Sequence, residues 1–575
     1  MNKHAILHNT DVPFVYGIDE KNLRVILRAA TGDIDSINIY FKDRYEGETP
    51  YNIAPMEKYI ETELFTFYLA TITLRDQRYR YFFELKDKEG RTGYYYERGF
   101  TDKRPGNDGA FNYPYLTLGD LYEEVSWAQE GVVYQIFPDR FFNGDKKNDP
   151  EGTLPWGEEV STTTMFGGDL QGVIDKLGYF KDLGVDILYF TPIFASTSNH
   201  KYNTKDYYKI DPYFGDEKTA KKMVDMAHNM GIKIIFDGVF NHSGSDFFAF
   251  QDVYEKGEKS RYKDWYFIDS FPIDIEAPNY TTFGIRHGYM PKLNTKNPEV
   301  VDYFVEVGKY WIREIGIDGW RLDVCDEIDH KFLRAFREGV KKVYKDAFII
   351  GEIQHEGASF LRGEQLDSIM NYPFRDVCLE FIAKRNITAD KAIDILENYR
   401  SMYPEKINKQ LLNLIDSHDT PRFITESMGR KESLKLAAAL QYTYIGIPYI
   451  YYGTEVGMKG TNDPYSRRCM VWDEEKQDSD LLSYYKKLNK IRKENKALVH
   501  GEFKLVEARD MLLSFIREYE DERLLIAINN SYEEEKLTAP YPLQQELLTD
   551  EKIVDGTGEI IIEPMTFKIF KLKKA

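Results

Sequence analysis

The chain is organised around one stretch, Gly316-Ile317-Asp318-Gly319-Trp320-Arg321-Leu322-Asp323-Val324. In a β-strand, side chains two residues apart share a face, so Arg321 and Asp323 point to one side of this stretch. The opposite side is apolar and is formed by Trp320, Leu322 and Val324. Because an isolated buried charge is very costly, a buried strand carries such charges only when they have a partner or a function. A structural Arg–Asp ion pair and a functional site both meet that requirement, and the other strands decide between them.

Short apolar strands recur from about residue 131 to residue 500. The other predicted strands are Val132–Phe137, Ile187–Phe190, Ile232–Phe236, Phe348–Ile350, Ser368–Tyr372, Leu411–Ile415 and Pro448–Tyr452. Helical stripes with apolar residues three and four apart lie between most of them, at Leu170, Val173, Ile174, Leu177, Phe180 and Leu183, and at Phe332, Leu333, Phe336, Val340 and Val343. Eight alternating units predict an α/β fold, a (β/α)8 TIM barrel whose active site lies at the carboxyl ends of the strands.

The segments on either side of the barrel read as antiparallel strands. Residues 1–123 alternate apolar and polar side chains between turns, which predicts an N-terminal β-sandwich, and residues 501–575 predict a smaller C-terminal β-sandwich. The catalytic barrel is predicted over 124–500, and its longest insertion, 243–300, follows the third strand and should overhang the active-site face. Tyr94-Tyr95-Tyr96 fits a half-buried strand or a recognition surface.

Composition limits the partners and the compartment. The chain has 575 residues and a net charge of −19, which argues against nucleic acid and anionic membranes as partners and favours a neutral ligand. Its 43 Tyr and 36 Phe fill sheet cores or stack on sugars. Three distant cysteines cannot form a disulfide framework, and neither a signal-peptide core nor a membrane span is apparent. We therefore expect a cytoplasmic protein.

Acidic residues and histidines follow the central strands. The third strand runs into Asp237–His242, the fourth ends at Asp323, the fifth at Glu352 and the seventh at His418-Asp419. Each acidic strand end alone fits an ordinary helix cap. Because the carboxyl ends of barrel strands share one rim, the set together predicts a catalytic site.

These four segments strongly resemble, in order, the signature regions of the alpha-amylase family of glycoside hydrolases. The resemblance covers the barrel, and the segment Met290–Asn294 is similar to that of the cyclomaltodextrinase, neopullulanase and maltogenic-amylase subgroup, which also carries an N-terminal sandwich. The resemblance implies a retaining α-glucan hydrolase that cleaves α-1,4 and, as a further expectation, α-1,6 bonds in cyclodextrins, maltooligosaccharides and pullulan, with some transglycosylation.

The resemblance also implies roles for individual residues. Asp323 matches the nucleophile, which must stay ionised, and Arg321 beside it is expected to hold its pKa down. Glu352 matches the general acid and base, and Asp419 matches the third carboxylate, which binds sugar hydroxyls. The implied substrate-binding residues are Tyr202 as an aromatic platform, His242, Arg321, His418, Asp463 and Arg467.

Several side-chain oxygens follow the first strand and suit a hard cation such as calcium. By resemblance to the subgroup, the implied ligands of a structural Ca²⁺ are Asn143, Asp145, Asn148, Asp149, Asp169 and the Gly167 carbonyl. Asn143-Gly144-Asp145 is also an ordinary turn, and two lysines, Lys146 and Lys147, sit inside the loop.

Two positions depart from the subgroup. Gln354 stands where Trp is usual after Gly351-Glu352-Ile353, so an indole platform beside the acid is lost, and Asp326 replaces a more usual Asn. A 4-α-glucanotransferase that hydrolyses little therefore stays an alternative. An amylase-like sugar-binding protein without activity is a second alternative, although such relatives generally lack a catalytic carboxylate. By analogy we also expect a homodimer, formed through the N-terminal domain, in which residues 1–123 partly roof the partner's active site.

Overall fold

The computed structural model describes residues 1–553 and 558–573. Contacts divide the chain into two compact units. One comprises Met1–Glu124, Leu361–Gly363 and Asp390–Asn408, and the other Val125–Phe360, Glu364–Ala389 and Lys409–Ala575. The C-terminal strands thus group with the barrel, and the predicted boundaries at 123 and 500 stay predictions. Among the residues described, none of the helices combines the length and the apolar character that crossing a membrane requires.

The first unit is built on antiparallel strands, as predicted. They are β1 (Val15–Gly17), β2 (Asn22–Ala30), β3 (Ile34–Asp43), β4 (Asn52–Pro55), β5 (Glu57–Glu61), β6 (Phe65–Thr73), β7 (Tyr79–Asp87), β8 (Thr92–Tyr96), β9 (Gly99–Thr101) and β10 (Phe111–Tyr113). One sheet has the order β1-β2-β6-β5 and the other β4-β3-β7-β8-β9, with β10 on β7. Inward residues such as Leu27, Ile39 and Phe83 form the shared core. Tyr94, Tyr95 and Tyr96 are half-buried in β8, which confirms the strand interpretation.

The second unit contains the predicted parallel barrel. Its strands and one small ribbon (β13 with β14) are β11 (Val133–Ile136), β12 (Ile187–Phe190), β13 (Phe194–Ser196), β14 (Thr204–Ile210), β15 (Lys233–Gly238), β16 (Gly319–Leu322), β17 (Phe348–Gly351), β18 (Ser368–Ile369), β19 (Leu412–Asn413) and β20 (Ile447–Tyr451). The sheet order is β18-β17-β16-β15-β12-β11-β20-β19. A parallel bridge between Met370 and Leu412 joins its two ends. The TIM barrel is therefore confirmed, and its eight strands follow one another along the chain in the predicted order.

The helices of both units are, in chain order, α1 (Ser126–Gln129), α2 (Leu170–Asp175), α3 (Leu177–Leu183), α4 (Glu217–Asn229), α5 (Phe248–Lys256), α6 (Pro298–Tyr310), α7 (His330–Val343), α8 (Tyr372–Val377), α9 (Ala389–Arg400), α10 (Glu405–Asn408), α11 (Phe423–Glu426), α12 (Lys431–Thr443), α13 (Ser479–Glu494) and α14 (Ala497–His500). The stripe predicted over 170–183 is buried but is divided between α2 and α3 at Lys176, which leaves the helical region with ψ 7°. Asp329 caps α7 by accepting from the Lys331 N–H.

The insertion after β15 returns to the end of that strand. After α5 its chain forms isolated β-bridges, His242 with Lys292 and Tyr266 with Leu293. The Leu293 N–H donates to the Asn241 carbonyl at 2.9 Å. Met290 and Phe283 of the insertion consequently line the cavity at the carboxyl ends of the strands.

The C-terminal strands form two antiparallel sheets. They are β21 (Glu502–Arg509), β22 (Leu512–Tyr519), β23 (Glu522–Asn529), β24 (Glu535–Thr538), β25 (Leu543–Glu546), β26 (Glu551–Lys552), β27 (Glu559–Ile562) and β28 (Thr566–Leu572). The larger sheet has the order β21-β22-β23-β28-β25-β26, and β24 pairs with β27. Leu525, Leu537 and Ile562 meet in the core between them, as a sandwich requires.

Candidate active site

The carboxyl ends of the central strands surround one cavity of about 620 Å³. Asp323 follows β16, Glu352 follows β17, and Asp419 lies in the loop after β19. The lining residues are His200, Tyr202, His242, Phe283, Met290, Asp323, Val324, Asp326, Glu327, Glu352, Gln354, His355, Asp419, Asp463 and Arg467. The three predicted carboxylates are therefore brought together.

One buried guanidinium connects the acidic strand ends. Arg321 Nη1 donates to Asp237 Oδ1 at 2.9 Å and Oδ2 at 2.8 Å, and to Asp323 Oδ1 at 2.8 Å. Its Nη2 lies 2.9 Å from Glu352 Oε2, an ion-pair contact. The predicted alternation is present, because the neighbouring Trp320 points the other way and donates to the Gly308 carbonyl on α6 at 3.2 Å. Arg321 thus fixes the carboxyl groups relative to one another.

Burial and crowding shift the acidic groups toward their neutral forms. Burial raises the pKa of Asp323 well above its ordinary value; Arg321 opposes this, and the carboxyls of Glu352, Asp237 and Asp419 add to it. Burial also raises the pKa of Asp237 to about 6. The prediction that Arg321 holds the pKa of Asp323 down is correct for the effect of Arg321 itself, but burial outweighs that effect. One guanidinium faces three carboxylates, so repulsion among the carboxylates adds to the effect of burial.

The residue after Asp323 positions Glu352. Val324 adopts a left-handed conformation with φ 44°, which is rare for a β-branched residue. From there its N–H donates to Glu352 Oε2 at 2.9 Å. Oε2 therefore accepts a hydrogen bond from Val324 and also lies 2.9 Å from Arg321 Nη2 in an ion-pair contact, so the orientation of this carboxyl group is fixed.

Tyr202 and His418 form a stacked pair under the cavity. Their rings are parallel within 3°, with centroids 5.6 Å apart. Gln135 Nε2 lies 2.7 Å from His418 Nδ1, which then accepts, so His418 Nε2 carries the hydrogen and donates to the Tyr202 hydroxyl at 2.6 Å. That hydroxyl donates onward to Asp237 Oδ2 at 3.1 Å. His418 is buried, and the same Nε2 also lies 3.1 Å from Asp419 Oδ2, so this ring contacts both Tyr202 and the third carboxylate. Its predicted contact with a sugar stays a prediction.

His242 presents an unused nitrogen to the site. Its ring stacks on Phe283, with centroids 4.8 Å apart, and lines the cavity. Within the described part of the chain, no group forms a hydrogen bond with its buried Nε2. Burial lowers the pKa of His242 to about 3, so the ring is neutral at physiological pH. A neutral ring with one free polar atom suits contact with an uncharged hydroxyl group.

Arg467 holds the third carboxylate from the opposite wall. Its Nη2 lies 3.0 Å from Asp419 Oδ1, and its Nη1 lies 3.3 Å from Asp463 Oδ2. Its Nε donates to the His418 carbonyl at 2.8 Å. Asp419 side-chain exposure is 32%, so this carboxylate is open to a ligand while its orientation is fixed. The predicted residues Asp419, Arg467 and Asp463 are therefore connected by ion pairs.

The predicted calcium loop contains buried polar atoms that have no hydrogen-bond partner among the described residues. Asn143 Oδ1 and Asn148 Oδ1 are buried, and nothing in the described residues donates to them. Asp149 Oδ1 accepts from Asn143 Nδ2 at 2.7 Å. Gly167 has φ +74°, and a Cβ there would lie 2.3 Å from Asp149 Oδ1, so a side chain would fill the cradle between them. These acceptors fit a hard cation.

Two of the predicted calcium ligands have other contacts. Asp169 caps α2, with Oδ1 accepting from the Gly172 N–H at 2.6 Å and Oδ2 from the Asp145 N–H at 2.9 Å. Asp145 Oδ1 accepts from the Lys147 N–H at 3.1 Å. In residues 1–553 and 558–573, no group of three or more His, Cys, Asp or Glu side chains is arranged to hold a metal. The unpartnered oxygens of this loop belong to asparagine side chains, which are not among those four residue types.

Sequence reasoning missed several residues of the site. Tyr189 donates to Asp237 Oδ2 at 2.7 Å, and Gln135 orients His418. Both are polar positions in otherwise apolar strands, a signal that was available. Phe283 comes from the insertion, where no periodicity pointed to it. His355 also lines the cavity and was missed, because its contact is with Asp326, a residue of another loop.

Comparisons with known proteins agree with this geometry. The family model described as "Alpha amylase, catalytic domain" matches residues 135–501, and "Alpha amylase, N-terminal ig-like domain" matches residues 1–117. The cyclomaltodextrinase of Thermoanaerobacter pseudethanolicus (strain ATCC 33223 / 39E) is 48% identical, over 93% of this chain and 94% of that protein. Neopullulanase 2 of Thermoactinomyces vulgaris is 44% identical, over 94% of this chain and 93% of that protein.

A solved structure shows the same architecture. A protein named cyclomaltodextrinase superposes with a TM-score of 0.95 at 39% sequence identity, covering 99% of this chain and 100% of that one. These relatives carry the names of enzymes, which disfavours the alternative of a sugar-binding protein without activity. With the catalytic-domain model matched over most of the barrel and relatives above 40% identity along nearly the whole length, the chain belongs to the alpha-amylase family of glycoside hydrolases.

Proposed function

We propose that this glycoside hydrolase cleaves α-1,4-glucosidic bonds of α-glucans with retention of configuration. One observation carries the proposal: the Arg321 guanidinium contacts both Asp323 and Glu352 at the rim of one cavity. Retention needs two carboxyl groups about 5–5.5 Å apart, one to attack the anomeric carbon and one to protonate the leaving oxygen. Two carboxyls held by one planar guanidinium fit that requirement.

Asp323 is the proposed nucleophile and Glu352 the acid and base. Arg321 donates to Asp323 Oδ1, which favours the ionised form that attack requires. The role of general acid requires that Glu352 carry a proton when the leaving oxygen departs, and the Val324 N–H orients its carboxyl group through Oε2. After protonating the leaving sugar, Glu352 is a carboxylate that can deprotonate the water that releases the product.

The remaining residues are proposed to bind the glucose unit at which cleavage occurs. Tyr202 offers a ring held from below by His418 and Asp237. His242 offers its free Nε2, and Asp419 an oriented carboxylate. A carboxylate that binds ring hydroxyls strengthens its hold as positive charge develops on the sugar, so it accelerates cleavage rather than only binding.

The proposed substrates are cyclodextrins, linear maltooligosaccharides and pullulan, with maltose or glucose as main products. The relatives named cyclomaltodextrinase and neopullulanase support this range. Because pullulan contains α-1,6 bonds, we include cleavage of α-1,6 bonds in the proposal. The test is a product time course on β-cyclodextrin, pullulan and soluble starch in parallel, with the anomeric form of the first product followed by NMR. Inversion at the anomeric carbon, or more than trace cleavage by Asp323→Asn, would contradict the proposal.

A 4-α-glucanotransferase remains the second candidate, favoured by Gln354 on the wall beside Glu352. A polar residue there leaves the acceptor side without an indole platform and changes how an incoming sugar competes with water. Incubation with maltotriose as sole substrate separates the two candidates. A hydrolase accumulates glucose and maltose, whereas a transferase accumulates longer oligosaccharides at constant total reducing ends.

We also propose a structural Ca²⁺ held by the loop after β11. The free Oδ1 atoms of Asn143 and Asn148, the Asp149 carboxylate and the Gly167 carbonyl are its best-supported ligands. Asp169 accepts four hydrogen bonds and would have to exchange one to join it, whereas Asp145 accepts one bond through Oδ1 and would bind the ion through Oδ2. When bound, the ion would neutralise loop charge and tie the loop to the barrel; no step of the reaction depends on it.

The proposed assembly is a homodimer through residues 1–123, and the proposed compartment is the cytoplasm. The dimer rests on analogy within the subgroup, and light scattering that gives a single chain's mass would count against it. The compartment is supported by Cys325, Cys378 and Cys469, which are buried free thiols. Fractionation that finds the protein outside the cell would overturn it.

A further inference from the structure

Two loops meet on the cavity wall beside Glu352. The loop after β16 contributes Asp326 and Glu327, and the loop after β17 contributes Gln354 and His355. A general acid protonates the oxygen of the leaving sugar, so residues on its side of the cavity face that sugar and, later, whatever accepts the glycosyl group. Every one of these four side chains is polar.

His355 joins the two loops. Its Nε2 lies 3.1 Å from Asp326 Oδ2, and its Nδ1 lies 2.7 Å from the Glu356 carbonyl oxygen. Both neighbours are acceptors, so each contact is a hydrogen bond when the facing ring nitrogen carries hydrogen. The contact between Asp326 and His355 holds the loop after the nucleophile to the loop after the acid.

The pair faces the cavity and its surroundings are fixed. Side-chain exposure is 30% for Asp326 and 61% for His355, so a ligand can reach both. Next to them Lys292 Nζ donates to Glu327 Oε2 at 2.6 Å, with the lysine only 17% exposed. This second pair anchors the rim to the insertion. The wall thus offers preorganised charged donors and acceptors where an aromatic platform would offer only a stacking face.

We propose that the Asp326–His355 pair binds hydroxyl groups of the sugar on the acid's side of the cleavage point and so determines how often a sugar, rather than water, accepts the glycosyl group. The inference rests on the proposed function. Charged groups form stronger hydrogen bonds with hydroxyls than neutral ones do, and a fixed pair loses little entropy when it binds. It also gives Asp326 a role, because a carboxylate accepts a stronger hydrogen bond from His355 Nε2 than the amide oxygen of Asn would.

The test compares two substrates with the same donor part. Maltotriose loses a glucose from the acid's side, whereas 4-nitrophenyl α-maltoside loses an aryl alcohol that has no sugar hydroxyls. For Asp326→Asn and His355→Gln we expect kcat/KM on maltotriose to fall about tenfold, and that on the aryl maltoside to change far less. The double variant should lose little more than either single one, because the two side chains act as a unit.

A second measurement follows acceptor choice with maltotriose as donor and ¹³C-labelled glucose as acceptor. We expect the ratio of transfer to hydrolysis to fall several-fold in both variants. Glu364→Gln, which breaks an exposed 3.0 Å ion pair with Arg334 on the barrel surface, is the matched control and should leave the ratio unchanged. Thermal unfolding of each variant checks that the fold is intact.

The outcomes separate the two proposals. Equal losses on both substrates would mean that the pair acts through Glu352, and an unchanged transfer ratio would mean that it does not bind the acceptor; either result overturns the inference. If the wild-type protein cleaves neither substrate nor any α-glucan, the proposed function itself fails. Selective loss on maltotriose together with a lower transfer ratio supports the inference.

Discussion

Val324 donates its backbone N–H to Glu352 Oε2 at 2.9 Å from a left-handed conformation. A β-branched residue reaches this conformation only when its surroundings enforce it, because the Cβ crowds the following carbonyl. The hydrogen bonds that frame it are those of the site: the next N–H, of Cys325, donates to the Glu352 carbonyl at 3.1 Å. Backbone strain and the orientation of the proposed acid are therefore coupled at one residue.

Replacing Val324 tests this coupling. Val324→Ala and Val324→Gly both remove the side chain, but only glycine adopts φ 44° without strain. We expect the glycine variant to exceed the alanine variant in free energy of unfolding by about 1 kcal/mol, the usual cost of one left-handed residue. Urea denaturation of the two variants measures the difference. Equal stabilities, or a more stable alanine variant, would show that the conformation is not strained.

The proposed acid makes a prediction about leaving groups. Glu352→Gln cannot donate a proton, so cleavage of maltotriose should fall by about 10²–10⁴-fold, the range of general acid catalysis. 4-Nitrophenyl α-maltoside releases a much better leaving group, so formation of its glycosyl-enzyme should fall less. Burst kinetics of 4-nitrophenol release measures that step separately from the later attack of water.

Asp323→Asn is the matched comparison for the acid variant. It removes the proposed nucleophile, which both substrates need equally, so both rates should fall to a trace. Should Asp323→Asn discriminate between the two substrates while Glu352→Gln does not, the assigned roles would be reversed. Exposed Glu364, which pairs with Arg334, again provides a neutral Glu-to-Gln control.

The central strand, Gly316–Val324, could be predicted from the sequence because its pattern of side chains is local. Alternation alone placed Arg321 and Asp323 on one face, and the strand ends gave Glu352 and Asp419. The contacts that turn these residues into a site are long-range: Gln135 orients His418 across 283 positions of the chain. No local pattern encodes such a pair, and the net effect of burial on Asp323 depends on how deeply the assembled rim is covered.

The left-handed conformation of Val324 could not be predicted from the sequence, for a different reason. Local preference makes valine one of the residues least expected at positive φ, so the sequence argued against the observed conformation. The helical stripe predicted over 170–183 is helical and buried, but its apolar periodicity continues through Lys176, where the backbone leaves the helical region and divides the stripe between α2 and α3. Apolar spacing reports which face is buried and not where a helix ends.

His8 allows a prediction about pH and stability in the first unit. Burial lowers its pKa to about 3, because the ring lies among aromatic side chains such as Phe83 and Phe111. The unfolded chain binds a proton near pH 6.5 and the folded one does not, so this group stabilises the fold above pH 6.5 and loses that contribution as pH falls. His8→Gln should remove this pH dependence.

We therefore expect the stability penalty of His8→Gln to be largest at pH 7.5. It should shrink by about 1.4 kcal/mol per pH unit between pH 6 and pH 4, because the wild type takes up a proton at His8 when it unfolds and the variant does not. Urea denaturation across this range, for wild type and variant, measures the slope. A penalty that stays constant with pH would mean that His8 is protonated in the folded protein.

Calcium binding predicts a change in stability that is independent of activity. After treatment with a chelator, added Ca²⁺ should raise the thermal midpoint; at a hundred times its Kd the gain is about 2.7 kcal/mol. Asn143→Ala and Asn148→Ala each remove a buried Oδ1 that nothing in the described residues contacts, so each should abolish most of the shift. Asn386→Ala, which removes an exposed amide that donates to Glu380, should leave the shift intact.

The choice of ion and the control variant decide whether the loop is the site. Because Mg²⁺ demands a tighter octahedral arrangement of ligands, Mg²⁺ should substitute poorly for Ca²⁺. An equal shift in the loop variants and in Asn386→Ala would place the ion elsewhere, and no shift in the wild type would remove it from the proposal.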